Sequence, residues 1–109
     1  MAFPDLSTRQ LRAFVQLAEL RNFTRAAQTC HLSQPAFSAQ IRALEDAVGA
    51  RLFDRDTRSV RLTVEGARFE AAARHLLQEA QLALEDLTDH VERRRRRVHL
   101  AALPSLAAG

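Results

Sequence analysis

After Thr63 the chain carries apolar side chains at alternating steps of four and three: Phe69, Ala73, Leu76, Ala80, Ala83 and Leu87. That spacing is a heptad seam, and it commits this stretch to one long helix. With Thr63 as N-cap, the helix is expected over 63–92; at 1.5 Å per residue that is about 45 Å. A second stripe, Leu77, Leu84 and Val91, widens the apolar face. A chain of 109 residues has room for one domain, and that domain can cover the helix only near Phe69. The rest of the face is an uncovered apolar patch. The spacing therefore predicts a homodimer held through Phe69, Ala73, Leu76, Leu77, Ala80, Ala83, Leu84, Leu87 and Val91.

The residues before this helix read as three shorter helices and a hairpin. Ser7 and Gln10 form a capping box, with Leu6 and Leu11 placed as a staple across it, and Leu11, Phe14, Val15 and Ala18 carry a helix over about 8–20. Asn22 caps a second helix over about 23–30, whose inner face is Ala26, Ala27 and Cys30. Ser33 caps a third, with Pro35 in its first turn, where a missing N–H costs nothing. Phe37, Ile41, Leu44 and Val48 are its apolar stripe over about 34–48, and Gly49 ends it. Leu52-Phe53 and residues 60–62 read as two short strands around a polar turn. Three helices and a hairpin make a winged helix-turn-helix over 1–62, so the fold class is mainly α. Twenty Ala and sixteen Leu agree with it.

Beyond 92 the character changes. Five arginines at 93–97 close the helix, favourably placed against its negative end. Residues 98–103 read as a strand ended by Pro104-Ser105, so 93–109 is expected to be a hinge and the first strand of a further domain that is absent.

Charge is segregated in the same way. All sixteen basic residues are Arg, the net charge is +3 and the pI is near 10.8. The balance is +3 over residues 1–61, −5 over 62–92 and +5 over 93–109. The first segment can face a polyanion; the acidic second cannot.

Enzyme chemistry finds no foothold. Glycines stand only at 49, 66 and 109, so no phosphate-cradling loop exists. The histidines (31, 75, 90 and 99) have no pairs at helical ligand spacing, and Cys30-His31 point to different faces. His90, on the seam, reads as structural. No catalytic residue, metal or cofactor is expected. One cysteine makes no internal disulfide, no apolar stretch reaches 18 residues, and the N-terminus lacks a basic region followed by an apolar one. The expectation is a cytoplasmic protein with no membrane partner.

The third helix is where a nucleic acid could be read. Opposite its apolar stripe lie Pro35, Ser38, Ala39 and Arg42, with Gln34 at the flank and Ser33 and Ala36 in the entering turn. Glu45 and Asp46 near its other end would repel phosphates, so the N-terminal half is the part that enters the groove. Gln34 can bond a base edge in bidentate fashion, Ser38 can donate or accept, and the Ala39 methyl can meet a thymine methyl. In the hairpin, Arg55, Arg58 and Arg61 surround a polar turn that can lie along the phosphate backbone or dip into a minor groove; Arg55 and Arg58, free to follow the backbone, are expected mainly to hold phosphates, and Arg61 reads as a solvated surface charge.

The run LRAFVQLAELRNFTRAAQTCHLSQPAFSAQIRALEDAVGARLFDRDTRSVRLTVEG, with its Ala-Ala…Ser-Gln-Pro…Ser…Ile…Leu-Glu…Gly…Leu-Phe…Arg…Leu-Thr…Gly series, resembles the N-terminal domain of LysR-type transcriptional regulators. The resemblance covers residues 6 to about 92. It implies a winged helix-turn-helix, a linker helix that dimerises, and a C-terminal domain that takes a small-molecule effector, with Ser105 near the effector site and a tetramer in the full-length protein. It also implies that positions matching Gln34, Pro35, Ser38, Arg55 and Arg58 touch double-stranded DNA, at an imperfect palindrome with a T and an A eleven bases apart. Three positions depart from the family pattern: Ala39 where many members have Arg, Cys30 where many have Leu, and Arg21 in place of a common Gly. A dimeric, sequence-specific DNA-binding regulator is one reading. A helical interaction module with only non-specific DNA affinity is the alternative.

Overall fold

The computed structural model describes residues 4–56 and 59–102. In order they form α1 (Thr8–Leu20), α2 (Phe23–Thr29), α3 (Gln34–Val48), β1 (Phe53–Arg55), β2 (Val60–Leu62) and α4 (Val64–Ala102). Two compact units result, one running through Leu77 and the other from Gln78 onward.

Each short helix begins where its cap stands. Ser7 Oγ accepts from the Gln10 amide at 3.1 Å while Gln10 Oε1 accepts from the Ser7 amide at 3.0 Å, the reciprocal pair that satisfies two orphan donors. Asn22 Oδ1 caps α2 by accepting from the Arg25 amide at 2.9 Å, and Ser33 Oγ caps α3 by accepting from the Ala36 amide at 3.2 Å. α1 is closed by Arg21 in the left-handed region at φ 52, a conformation natural to glycine. Gly49, at φ 75, closes α3.

α1 packs on α2 and α3, and α2 on α3. Their core holds Phe14, Leu17, Phe37, Ile41 and Leu44 with Leu52 and Phe53 from the hairpin, all essentially without solvent contact, and no polar side chain is buried among the described residues. Each buried Phe or Leu contributes about 1.5–3 kcal/mol over its exposed state. Phe14 is the hub. Its ring lies 5.3 Å from that of Phe53 and 5.2 Å from that of Phe69 on α4.

The hairpin is antiparallel, pairing Phe53 with Leu62, Asp54 with Arg61 and Arg55 with Val60. Thr63 joins it to α4: its amide donates to the Leu52 carbonyl at 3.0 Å, its hydroxyl donates to the Arg51 carbonyl at 2.6 Å, and the same oxygen accepts from the Gly66 amide at 2.9 Å. Gly66 is required there. A Cβ on it would press against the Leu52 carbonyl oxygen and stand 2.9 Å from Leu62 Cδ2.

Two expectations about α4 need correction. The helix does not stop at 92; it runs 39 residues to Ala102, so the arginines at 93–97 lie inside it and the strand expected over 98–103 is helical as far as Ala102. No Gly or Pro interrupts the chain between Gly66 and Pro104. Arg, Leu and Ala are good helix formers, and Asp89–Arg93 (3.8 Å) and Glu92–Arg95 (3.5 Å) pair along the helix. A strand with nothing to pair with has no such support. The second correction concerns the dimer face. Ala73 is fully buried within its own domain, and Phe69 and Leu77 pack against the same core. The apolar positions left outward are Leu76, Ala83, Leu84 and Leu87, with Ala80 and Val91 half-buried.

Candidate nucleic-acid interface

The approach to α3 is a tight turn built from backbone bonds. The His31 amide donates to the Gln28 carbonyl at 3.1 Å and the Leu32 amide to the Ala27 carbonyl at 2.9 Å, with His31 at φ 57. This turn delivers Ser33, Gln34, Pro35 and Ala36 to the surface, and all four are exposed. Ala39 and Arg42 are exposed on the next turns, while Ser38 is half-buried. The residues expected to meet DNA on α3 therefore lie on its N-cap and along the helix as far as Arg42, and the leading N–H groups add a positive end.

Gln34 is not a loose side chain. Its Oε1 accepts from the hydroxyl of Thr24, in the first turn of α2, at 3.2 Å. Thr24 carries no local signal, because its partner is ten residues away.

Glu45 plays a different part from the phosphate-repelling one expected of it. Its Oε2 accepts from the amides of Leu52 (2.8 Å) and Phe53 (3.3 Å), and its Oε1 accepts from Arg55 Nη2 at 3.1 Å. The carboxylate thus ties the far end of α3 to the root of the hairpin. Arg55 is fixed by the same contact, and its guanidinium carbon sits 5.1 Å from the ring centre of Phe23. Its expected freedom to follow a backbone is absent: the side chain is held between Glu45 and Phe23. A guanidinium has five N–H donors, so this anchoring leaves it able to contact a phosphate. Arg58 and Ser105 lie outside the described residues. Arg61 is exposed opposite Asp54, in keeping with a solvated charge.

Cys30, at the end of α2, has its thiol pushed up by burial, with the positive charge of Arg12 and a hydrogen bond with Thr29 pulling it partly back. Among the described residues no group of three His, Cys, Asp or Glu could hold a metal ion, and no helix is long and apolar enough to cross a membrane.

Comparison with known proteins places this arrangement. Residues 8–67 match the model of the bacterial regulatory helix-turn-helix proteins of the lysR family. The HTH-type transcriptional regulator YjiE of Escherichia coli K12 is 39% identical over 105 residues, 96% of this chain and 35% of that protein. DarR of Vibrio fischeri, solved in complex with DNA, superposes with a TM-score of 0.78 at 36% identity, over 81% of this chain and 30% of that one. The BenM DNA-binding domain, solved on the benA site 1 DNA, gives a TM-score of 0.72 at 34% identity, over 80% of this chain and 97% of that one. The chain spans about a third of the length of the curated relatives it matches. With the match covering α1 through the first turn of α4, the chain belongs to the LysR family of bacterial regulatory helix-turn-helix proteins.

Proposed function

We propose that residues 4–62 read double-stranded DNA in a sequence-specific way and that α4 pairs two copies, which makes the chain the DNA-binding part of a bacterial transcription regulator. The observation that carries this reading is the exposed, capped first half of α3, with Gln34 held at its start. Gln34 and Ser38 are the direct readers, with the Ala39 methyl as an apolar contact; Ser33, Pro35 and Ala36 lie against the groove edge; Arg42, Arg55 and Arg58 hold phosphates. Two such domains fit an imperfect palindrome. Pairing is supported by Leu84 and Leu87, which are 64% and 57% exposed on a helix that the seam spacing marks for association. The relatives named above are regulators, and the reading assigns this chain no catalysis and a place in the cytoplasm, with Ser105 near the site of a small-molecule effector.

The test is titration of the chain against a selected duplex and a scrambled one at several salt concentrations. Gln34→Ala should cost about 1–3 kcal/mol on the selected site and relax one position, whereas Arg42→Ala should weaken both duplexes alike and lower the salt slope by about one. Equal losses for Gln34→Ala on both duplexes would remove the reading. Leu84→Glu with Leu87→Glu should give monomers in analytical ultracentrifugation while the N-terminal unit stays folded; an unmodified chain that is monomeric at high micromolar concentration would refute the pairing.

A further inference from the structure

An arginine that reaches a phosphate from a loose side chain gives up rotamer freedom as it binds, and that ordering weakens the complex; one already held in place does not meet this cost. Arg55 is held on two sides. Its Nη2 donates to Glu45 Oε1 at 3.1 Å, while its guanidinium carbon stands over the face of the Phe23 ring, 5.1 Å from the centre. A ring face attracts a cation, and a flat guanidinium stacks on it where a lysine ammonium cannot. Phe23 is itself fixed. It opens α2 directly after the Asn22 cap and packs edge-on, at 6.0 Å and 82°, against Phe37 of α3, which has no solvent contact. The Arg55 side chain nevertheless keeps 31% of its surface exposed, and only part of its five-donor fork is needed by Glu45.

We infer that Phe23 is a positioning residue for DNA binding, its ring holding the Arg55 guanidinium ready for a phosphate of the duplex. This rests on the phosphate-holding role proposed above for Arg55 and adds a residue that acts through it. The single bond to Glu45 fixes one corner of the guanidinium; the ring restrains the plane that would otherwise swing about that corner. Phosphates are alike along the duplex, so Phe23 contributes affinity for every sequence and no base preference. The charge of Arg55 survives the loss of the ring, so the counterions released on binding stay the same in number. Losing Phe23 therefore weakens binding at an unchanged salt slope, whereas losing Arg55 lowers the slope as well.

The experiment measures Kd for the intact 109-residue chain on a selected duplex and a scrambled one at several salt concentrations. Unmodified chain, Phe23→Leu, Phe23→Tyr, Arg55→Lys, Arg55→Gln and the Phe23→Leu/Arg55→Gln double variant are compared, with thermal melting to establish that each is folded at the assay temperature. Phe23→Leu is expected to bind both duplexes roughly two- to tenfold more weakly at an unchanged salt slope. Phe23→Tyr, which keeps the ring, stays within about twofold of the unmodified chain. Arg55→Gln loses more and lowers the slope by about one. The double variant is no weaker than Arg55→Gln alone, since nothing remains to position. Arg55→Lys keeps the charge without the flat guanidinium, so it reproduces the Phe23→Leu loss at an unchanged slope and carries the test if Phe23→Leu fails to fold. A Phe23→Leu loss that persists in the Arg55→Gln background, or that falls on the selected duplex alone, would show the ring acting through Phe37 on α3 and overturn the inference. Full affinity in Phe23→Leu or in Arg55→Lys, alongside a weakened Arg55→Gln, would overturn it too. If Arg55→Gln itself binds both duplexes unchanged, Arg55 holds no phosphate and the inference falls with that role, while base reading by Gln34 is left to its own test.

Discussion

Replacing Glu45 with Ala removes three hydrogen bonds at one stroke, and their separate worth can be estimated. The Leu52 amide bond is the shortest, at 2.8 Å, and Leu52 is almost fully buried, so its N–H loses a charged acceptor where water has poor access. A hydrogen bond to a charged group is worth about 1.5–3 kcal/mol. The Phe53 bond, at 3.3 Å, adds a fraction of that. The Arg55 ion pair, with 31% of the arginine side chain exposed, falls in the range of about 0–1 kcal/mol found for solvated pairs. Alanine's better helix propensity returns a few tenths. The net expectation is a loss of about 2–3 kcal/mol, or roughly 8–24 °C in melting temperature for a unit of this size. Urea denaturation followed by circular dichroism, at one fixed protein concentration so that pairing does not confound it, measures the loss. Hydrogen exchange should show the Leu52 and Phe53 amides losing protection before α1 does. Glu45→Gln keeps an acceptor oxygen and should recover about half of the stability. A loss under about 0.5 kcal/mol would refute the assignment. A loss that disappeared in 1 M salt would do so too, because screening removes the Arg55 pair but spares the amide bonds.

Gly66→Ala drives a methyl into the Leu52 carbonyl and Leu62, and should cost more than about 2 kcal/mol by thermal melting, whereas Ala67→Gly next to it should cost no more than about 1 kcal/mol. Arg21→Gly relieves a left-handed residue at the end of α1 and should stabilise by about 0.5–1 kcal/mol; a loss of stability would mean the arginine has a partner that outweighs its backbone strain. Cys30, its thiol pushed up by burial, should alkylate with iodoacetamide more slowly than in the urea-unfolded chain. Its rate should go on climbing at alkaline pH after the unfolded chain has levelled off. Equal rates in the two states would contradict the shift.

The parts of this fold that were legible in the sequence are those whose cause is local. Ser7 with Gln10, Asn22, Ser33 and Gly49 each act within a few residues, and the helices begin or end on them. The end of α4 was misread because a run of arginines resembles a terminal charge signal, while continuation of the helix depends on propensity and on the absence of any breaker before Pro104. Candidate-site geometry was legible only along α3 itself. Thr24 with Gln34, and Glu45 with the hairpin amides, join elements that meet only after folding, and no spacing rule within one helix announces either bond. Ala73 shows the same limit: a heptad places it on the seam with Leu76 and Ala80, yet the seam's first turns are taken up by the domain's own core.

Phe14 belongs to α1, but its ring is shared by Phe53 at the root of the hairpin and by Phe69 at the base of α4. A mutation at position 14 is therefore felt by both elements in the same generation. A smaller residue leaves two rings without a neighbour, and a larger one displaces both. Drift at positions 14, 53 and 69 is consequently bound into one heritable unit, in which the volume surrendered at one site must be restored at another before the change can persist. The hairpin's root and the start of α4 should thus be slow to exchange between lineages as separate pieces.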